Sequence, residues 1–163
     1  MNALSVTRIN IKSPYTVWFD NGLYHFKTDN DVLLAIEFEE DETLSFKGSV
    51  WLNLINLSRK NSPTDPKVKR TVITIIDEFF RLNPTVILYL CDTANNQQAM
   101  RSRLFLHWFN DAESKALFYI QVAEIQDENV TNYVAIIVQR SNPEASAILA
   151  QFDKEVEMFK NKP

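Results

Sequence analysis

Residues 65–91 read DPKVKRTVITIIDEFFRLNPTVILYLC, and this stretch decides the fold. Asp65-Pro66 is a helix start: an aspartate cap, then a proline at the first helical position, where its missing N–H costs nothing. Val68, Val72, Ile75, Ile76 and Phe79 recur at helical spacing, widened by Ile73 and Phe80. They predict an amphipathic helix from Pro66 to about Leu82. Asn83-Pro84 ends it. Val86 to Cys91 is an unbroken apolar run too short for a helix, so it predicts a strand covered on both faces. A helix with one apolar stripe followed at once by a covered strand means helix packed on sheet.

Upstream the period is two. Tyr15–Phe19 and Leu23–Thr28 flank Asp20-Asn21-Gly22, and Asn-Gly between alternating apolar residues signals a hairpin. Val32, Leu34, Ile36 and Phe38 share one face of a third strand, Glu39-Glu40-Asp41-Glu42 reads as a solvated turn, and Val50–Leu57 as a fourth strand. Residues 1–13 read as an N-terminal extension or edge strand through Leu4 and Val6. Downstream, a helix is predicted from about Asn95 to Phe109, with Met100, Leu104, Phe105, Trp108 and Phe109 inward. Strands Leu117–Ile125 and Tyr133–Gln139 follow, split by the polar residues Gln126 to Asn129. Asn142-Pro143 opens a last helix whose inner face carries Ile148, Leu149, Phe152, Val156 and Phe159. The expected class is α+β: a mixed, mostly antiparallel sheet with three helices, in the order β-β-β-β-α-β-α-β-β-α. With no repeat and no linker, residues 1–163 are expected to form one domain, with the core in 14–163.

Composition narrows the function. The chain has 163 residues, 45% of them hydrophobic and 23% charged, and a net charge of −4 with pI near 5.2. No global field draws it to nucleic acid or to an anionic membrane. Eleven phenylalanines stand against two glycines, Gly22 and Gly48. A phosphate-cradling loop needs more glycine than that. The single cysteine, Cys91, excludes an internal disulfide and fits a reducing compartment. No apolar run approaches the ~20 residues of a membrane span, and residues 1–14 hold no apolar leader. A cytoplasmic location is expected. His25, His107 and Cys91 show no metal-ligand spacing, so neither a metal nor a cofactor is expected.

Ile87-Leu88-Tyr89-Leu90-Cys91-Asp92, Arg101-Ser102-Arg103-Leu104-Phe105 and Trp108-Phe109 resemble a family of small uncharacterised bacterial proteins. Tyr24 to Thr28, Asp65 to Val68 and Asn142-Pro143 extend the likeness. That family has no assigned activity. The order of elements is also similar to the N-acetyltransferase superfamily, in which a strand ending in Asp precedes an Asn-rich turn and an Ala-x-Arg helix. The resemblance implies a glycine-rich pyrophosphate loop after the fourth strand. Here residues 58–66 read SRKNSPTDP, with no glycine, two prolines lacking N–H groups, and an anionic Asp65 at the cap. The scaffold is expected to be acetyltransferase-like but without its cofactor site.

The candidate site residues are few. Asp92 follows a strand end, where ligands gather in open α/β sheets, although a structural carboxylate occupies such positions more often. Tyr89 precedes it on the strand. Arg103 and His107 are four apart on the polar side of the predicted helix, where they offer a ligand or partner contact or simply a solvated face. Arg101 lies near the buried stripe and is expected to fork structurally with Asp92 or Asp77. Trp108 and Asp65 are structural candidates too. Cys91 has no activating neighbour and reads as a small buried hydrophobe. Arg59, Lys60, Lys67, Lys69 and Arg70 make the one basic cluster, at a helix N-terminus where cations oppose the macrodipole unless an anion is near.

A non-catalytic protein-binding or regulatory module follows, acting as a homodimer through a strand edge or docked on an effector. The competing readings are an enzyme with an unusual acyl or nucleotide site near Asp92, and nucleic-acid binding through residues 59–70, which the acidic net charge opposes. Acetyl-coenzyme A is not expected to bind at physiological concentration, because side chains alone hold a pyrophosphate loosely. Isothermal calorimetry is expected to show no heat of binding; a micromolar dissociation constant would restore the enzyme reading.

Overall fold

Asn21 and Gly22 both take positive φ, 50° and 79°, the geometry a two-residue hairpin turn requires. A computed structural model describes residues 1–40, 46, 48–61, 63–91 and 103–160. The chain is α+β and divides into two compact units, one from the described residues of 1–41 and 50–84, the other from those of 42–49 and 85–163. Among the described residues no helix is long and apolar enough to cross a membrane.

In the first unit the Asn-Gly turn joins β1 (Trp18–Asp20) to β2 (Leu23–Lys27), and β3 (Leu33–Glu40) and β4 (Val50–Asn56) complete an antiparallel meander in sequence order. A second turn is locked by Thr28, whose hydroxyl accepts from Val32 N–H at 3.2 Å while Asp31 takes a φ of 63°. Helix α2 (Pro66–Leu82) starts as its sequence predicts. The Asp65 carboxylate accepts the Lys67 N–H at 2.9 Å, and Pro66 sits in the first turn. Its stripe of Val72, Ile75, Ile76 and Phe79 is buried, and Phe79 stacks on Phe38 of β3 with centroids 4.8 Å apart.

The N-terminal residues correct the expected edge strand: Val6–Lys12 form a helix, α1. The Ser5 hydroxyl caps the Arg8 N–H at 3.2 Å, and Ile9, a helical step beyond Val6, is fully buried. The two-residue alternation of Leu4 and Val6 was too short to carry a strand against that cap. Helix α1 packs on α2, and Glu78 of α2 lies 7% exposed between two arginines. Arg81 grips it with contacts of 2.6 and 3.0 Å, and Arg8 of α1 stands at 3.5 Å.

The second unit orders its strands β5-β7-β6, with β5 spanning Val86–Cys91, β6 Phe118–Asp127 and β7 Val130–Gln139, all antiparallel. Val86, Ile87, Leu88 and Tyr89 are buried in succession, as a strand covered on both faces requires, but Leu90, expected to be covered too, is 49% exposed. The β6–β7 hairpin is tighter than the four polar residues of its sequence suggested. Glu128 takes φ 53°, so Glu128-Asn129 makes the whole turn and pairing runs to Asp127 and Val130.

Two helices more than the expected three come from local caps. Besides α1, α3 (Ala112–Leu117) forms because the Asp111 carboxylate accepts the Ser114 N–H at 2.7 Å. Of the helix expected over 95–109, the described part is helical at 103–107 and continues as a 3-10 turn, Trp108–Asn110. Phe105, Trp108 and Phe109 are buried there as expected, but Leu104 is 37% exposed. Helix α4 (Ala145–Lys160) begins two residues later than the Asn142-Pro143 pair suggested. Asn142 first closes a turn, its side chain accepting from Glu144 and its carbonyl from Ala145. Phe152 is buried and Phe159, expected inside, is 53% exposed on the last turn.

The Glu78 carboxyl is held below its usual range, chiefly by hydrogen bonds from Arg81, with burial acting the other way. A depressed carboxyl pKa stabilises the fold above the ordinary glutamate value of about 4.3 and loses that contribution as pH falls through the folded value. Glu78→Gln is expected to cost about 1–2 kcal/mol at pH 7, a figure reduced for the exposure of both arginines. Denaturant melts between pH 7 and 3 should show the wild type losing more stability than the variant over that acid interval; parallel losses would exclude the role.

Candidate functional site

The basic cluster is gathered where β4 passes into α2, and the sequence alone did not show what faces it. Asn56 ties this connection down, accepting from Arg59 N–H at 3.1 Å and donating to the Lys60 carbonyl at 2.7 Å, while Arg59 takes a φ of 55°. The turn between β2 and β3 brings its carboxylates to the same place. Lys60 lies 3.3 Å from Asp31, which Lys27 also holds at 2.7 Å, and Lys67 lies 2.8 Å from Asp29. Lys60 and Lys67 are therefore matched by carboxylates 29 and 38 residues away in sequence. The Asp31 carboxyl is held low, first by the hydrogen bond from Lys27, then by that from Lys60. Lys67 is held high by its bond to Asp29. Arg59 and Arg70 are exposed and Lys69 is half-buried.

Tyr15 sits beneath this rim, 6% exposed, its hydroxyl donating to Asp65 and accepting from Asp29 N–H at 3.2 Å. Burial pushes the hydroxyl's pKa up, with the Asp29 N–H opposing. The Lys67 ammonium lies 5.6 Å from the Tyr15 ring centre. Asp65 thus serves helix and rim together: one oxygen caps α2 and the other takes the phenol. The helix N-terminus expected to attract an anion already carries the chain's own carboxylate.

In the second unit Tyr89 is 7% exposed, with the Phe105 ring stacked on it at 4.0 Å and 19°. Phe105 also meets Trp108 and Phe109, and Phe109 meets Phe118, in one aromatic cluster. Arg103 and His107 are both exposed, four residues apart on the short helical segment. Asp92 and Arg101 lie outside the described residues, as does the side chain of Cys91. Among the described residues no group of three or more His, Cys, Asp or Glu side chains could hold a metal ion.

The surface that sequence reading missed is strand β1. All three of its residues are exposed, and it pairs only with β2 among the described residues. Trp18 stacks on His25 at 5.4 Å and 10°, while Phe19 leans on Tyr24 at 4.8 Å. The two rings stand on opposite faces of the sheet, because successive strand residues alternate. Tyr24 marks the helical side, since its hydroxyl accepts the Leu4 N–H at 3.1 Å. Trp18 covers a buried His25 whose Nδ1 has no hydrogen-bond partner among the described residues. Asn10 braces the approach to the strand, its amide bonded both ways to the Val17 backbone at 2.8 and 2.9 Å. Adjacent Trp and Phe just before an Asn-Gly turn was the available signal, and it reads equally well as a buried strand.

Residues 64–154 match the model of a protein family without an assigned function. A comparison with curated proteins finds no match.

Asp65→Ala is expected to cost about 1–2 kcal/mol in thermal or chemical denaturation, the usual range for a lost cap. Asp65→Ser, which keeps an acceptor for Lys67 N–H but not one that reaches Tyr15, should fall between that variant and the wild type. Equal losses for both would mean the Tyr15 bond, and not the cap, holds this corner together.

Proposed function

The chain belongs to the DUF6169 family, a family of unknown function, and from that premise we propose that it is a protein-binding module and not an enzyme. It binds by adding an extended segment of a partner protein to the free edge of β1. The observation that carries this reading is the exposed Trp18–Phe19 pair, 40% and 53% accessible, one ring on each face of an edge strand. An incoming strand takes its main-chain bonds from the edge, and its alternate side chains meet an aromatic surface on either side. Aromatic residues are enriched in the centres of interfaces, where each buries a large area at small entropic cost. The edge is short, three residues, which limits unselective pairing.

The placement of the ligand or partner candidates among the described residues supports this reading. Tyr89 is covered by Phe105, and Arg103 and His107 sit together on one solvated turn. Lys60 and Lys67 of the 59–70 cluster are engaged by Asp31 and Asp29, which weakens the nucleic-acid reading.

The test is amide hydrogen exchange on the complex purified from native cells, joined to a Trp18→Ser/Phe19→Ser variant. Residues 18–20 should gain protection when the partner binds. The variant should keep its circular dichroism while losing about thirty-fold or more in affinity, the equivalent of about 2 kcal/mol at a hot spot. Protection elsewhere with unchanged affinity would overturn the reading.

A further inference from the structure

Strand β6 is the longest open edge in the described structure. Its ten residues pair only with β7 among the described residues, in an unbroken register from Phe118–Gln139 to Asp127–Val130. Every second residue of an antiparallel edge turns its N–H and C=O away from its neighbour, so β6 offers a row of unused donors and acceptors. Natural edges of this length are usually blocked by lysine, proline or a bulge. The sequence FYIQVAEIQD has no lysine, arginine, proline or glycine, and no bulge interrupts the ladder. Val122 is 46% exposed at its middle, flanked by half-buried Ile120 and Ile125.

Charge is unevenly spread along this edge. At the Phe118 end stand Lys115 and Arg140, both exposed. The Arg140 guanidinium lies 4.2 Å from the Tyr119 ring centre, and its backbone N–H bonds to the Leu117 carbonyl at 2.9 Å. At the other end stand Glu124 and Glu128, exposed as well. None of these four makes an ion pair with another described residue. An edge that is basic at one end and acidic at the other is complementary to itself when reversed.

We propose that the chain forms a two-fold symmetric homodimer by antiparallel pairing of β6 with β6 of a second copy. A two-fold axis normal to the sheet keeps odd and even residues on their own faces, so its centre falls on a residue and not between two. Centred on Val122, the pairing sets that exposed valine against its own copy and residue 119 against residue 125. Each Lys115–Arg140 end is thereby carried to the Glu124–Glu128 end of the other chain. Both open hydrogen-bonding rows are closed, and like charges are kept apart. The interface is isologous, so it stops at two chains instead of growing into a filament. It uses a different surface from β1, and its failure leaves that assay unaffected.

Sedimentation equilibrium of the full chain tests this. The wild type is expected at twice 18.9 kDa, and Val122→Lys, which places a charge on the edge, at the monomer mass. Lys115→Glu should weaken the dimer about ten-fold at low salt, and Lys115→Glu/Glu128→Lys should restore it, since the swapped charges again face each other. The rescue pair also covers the case in which Val122→Lys does not fold. A monomeric wild type, a Val122→Lys dimer, or a charge swap that neither weakens nor rescues would each overturn the proposal.

Discussion

The stacking of Phe79 on Phe38 stands for the constraint on which the first unit depends: α2 must lay one face on the meander. That face is fully buried at Val72, Ile75, Ile76 and Phe79, and the strand beneath it at Ile36. Burial of this kind stabilises in proportion to apolar area, about 25 cal/mol per Å², and no exposed ion pair in the unit competes with it. Once the helix is fixed, its ends fix other things. Asp65 at one end reaches Tyr15, and Glu78 near the other receives Arg8 from α1.

The second unit joins a cluster of rings to a helix, α4, that packs on β6. Phe105 touches Tyr89, Trp108 and Phe109, and Phe109 touches Phe118, bringing strand, 3-10 turn and hairpin together. Aromatic pairs contribute area and a preferred geometry, so such a cluster places its members more narrowly than aliphatic packing does. The same cluster puts Tyr89 under a lid of Phe105, and the residue reads as core. The abundance of phenylalanine thus serves the interior here, while Trp18 and Phe19 spend theirs on the surface.

The two proposed contacts share one physical origin. A sheet leaves backbone groups unpaired at its ends, and a chain must block them, cover them or use them. Strand β1 is short and flanked by aromatic rings, suited to a segment of another protein. Strand β6 is long, regular and charged in opposite senses at its ends, suited to a copy of itself.

The sequence by itself determined what is local. Asp65-Pro66, Asn83-Pro84 and Asn21-Gly22 each act through their own backbone geometry, so the start and stop of α2 and the first hairpin turn could be read directly. The strand Val86–Cys91 was legible because six successive apolar residues allow little else, although its Leu90 is exposed. Local caps of one hydrogen bond, at Ser5 and Asp111, were missed because serine and aspartate precede helices and turns alike. Only the tertiary structure decided which charges meet and which rings are covered. Lys60 and Lys67 look like a free basic cluster until Asp31 and Asp29 arrive from another turn, and Phe159 looks internal by its spacing yet is more than half exposed. Pairing across tens of residues depends on how the strands register. Periodicity constrains the face a residue takes, not the neighbour it finds there.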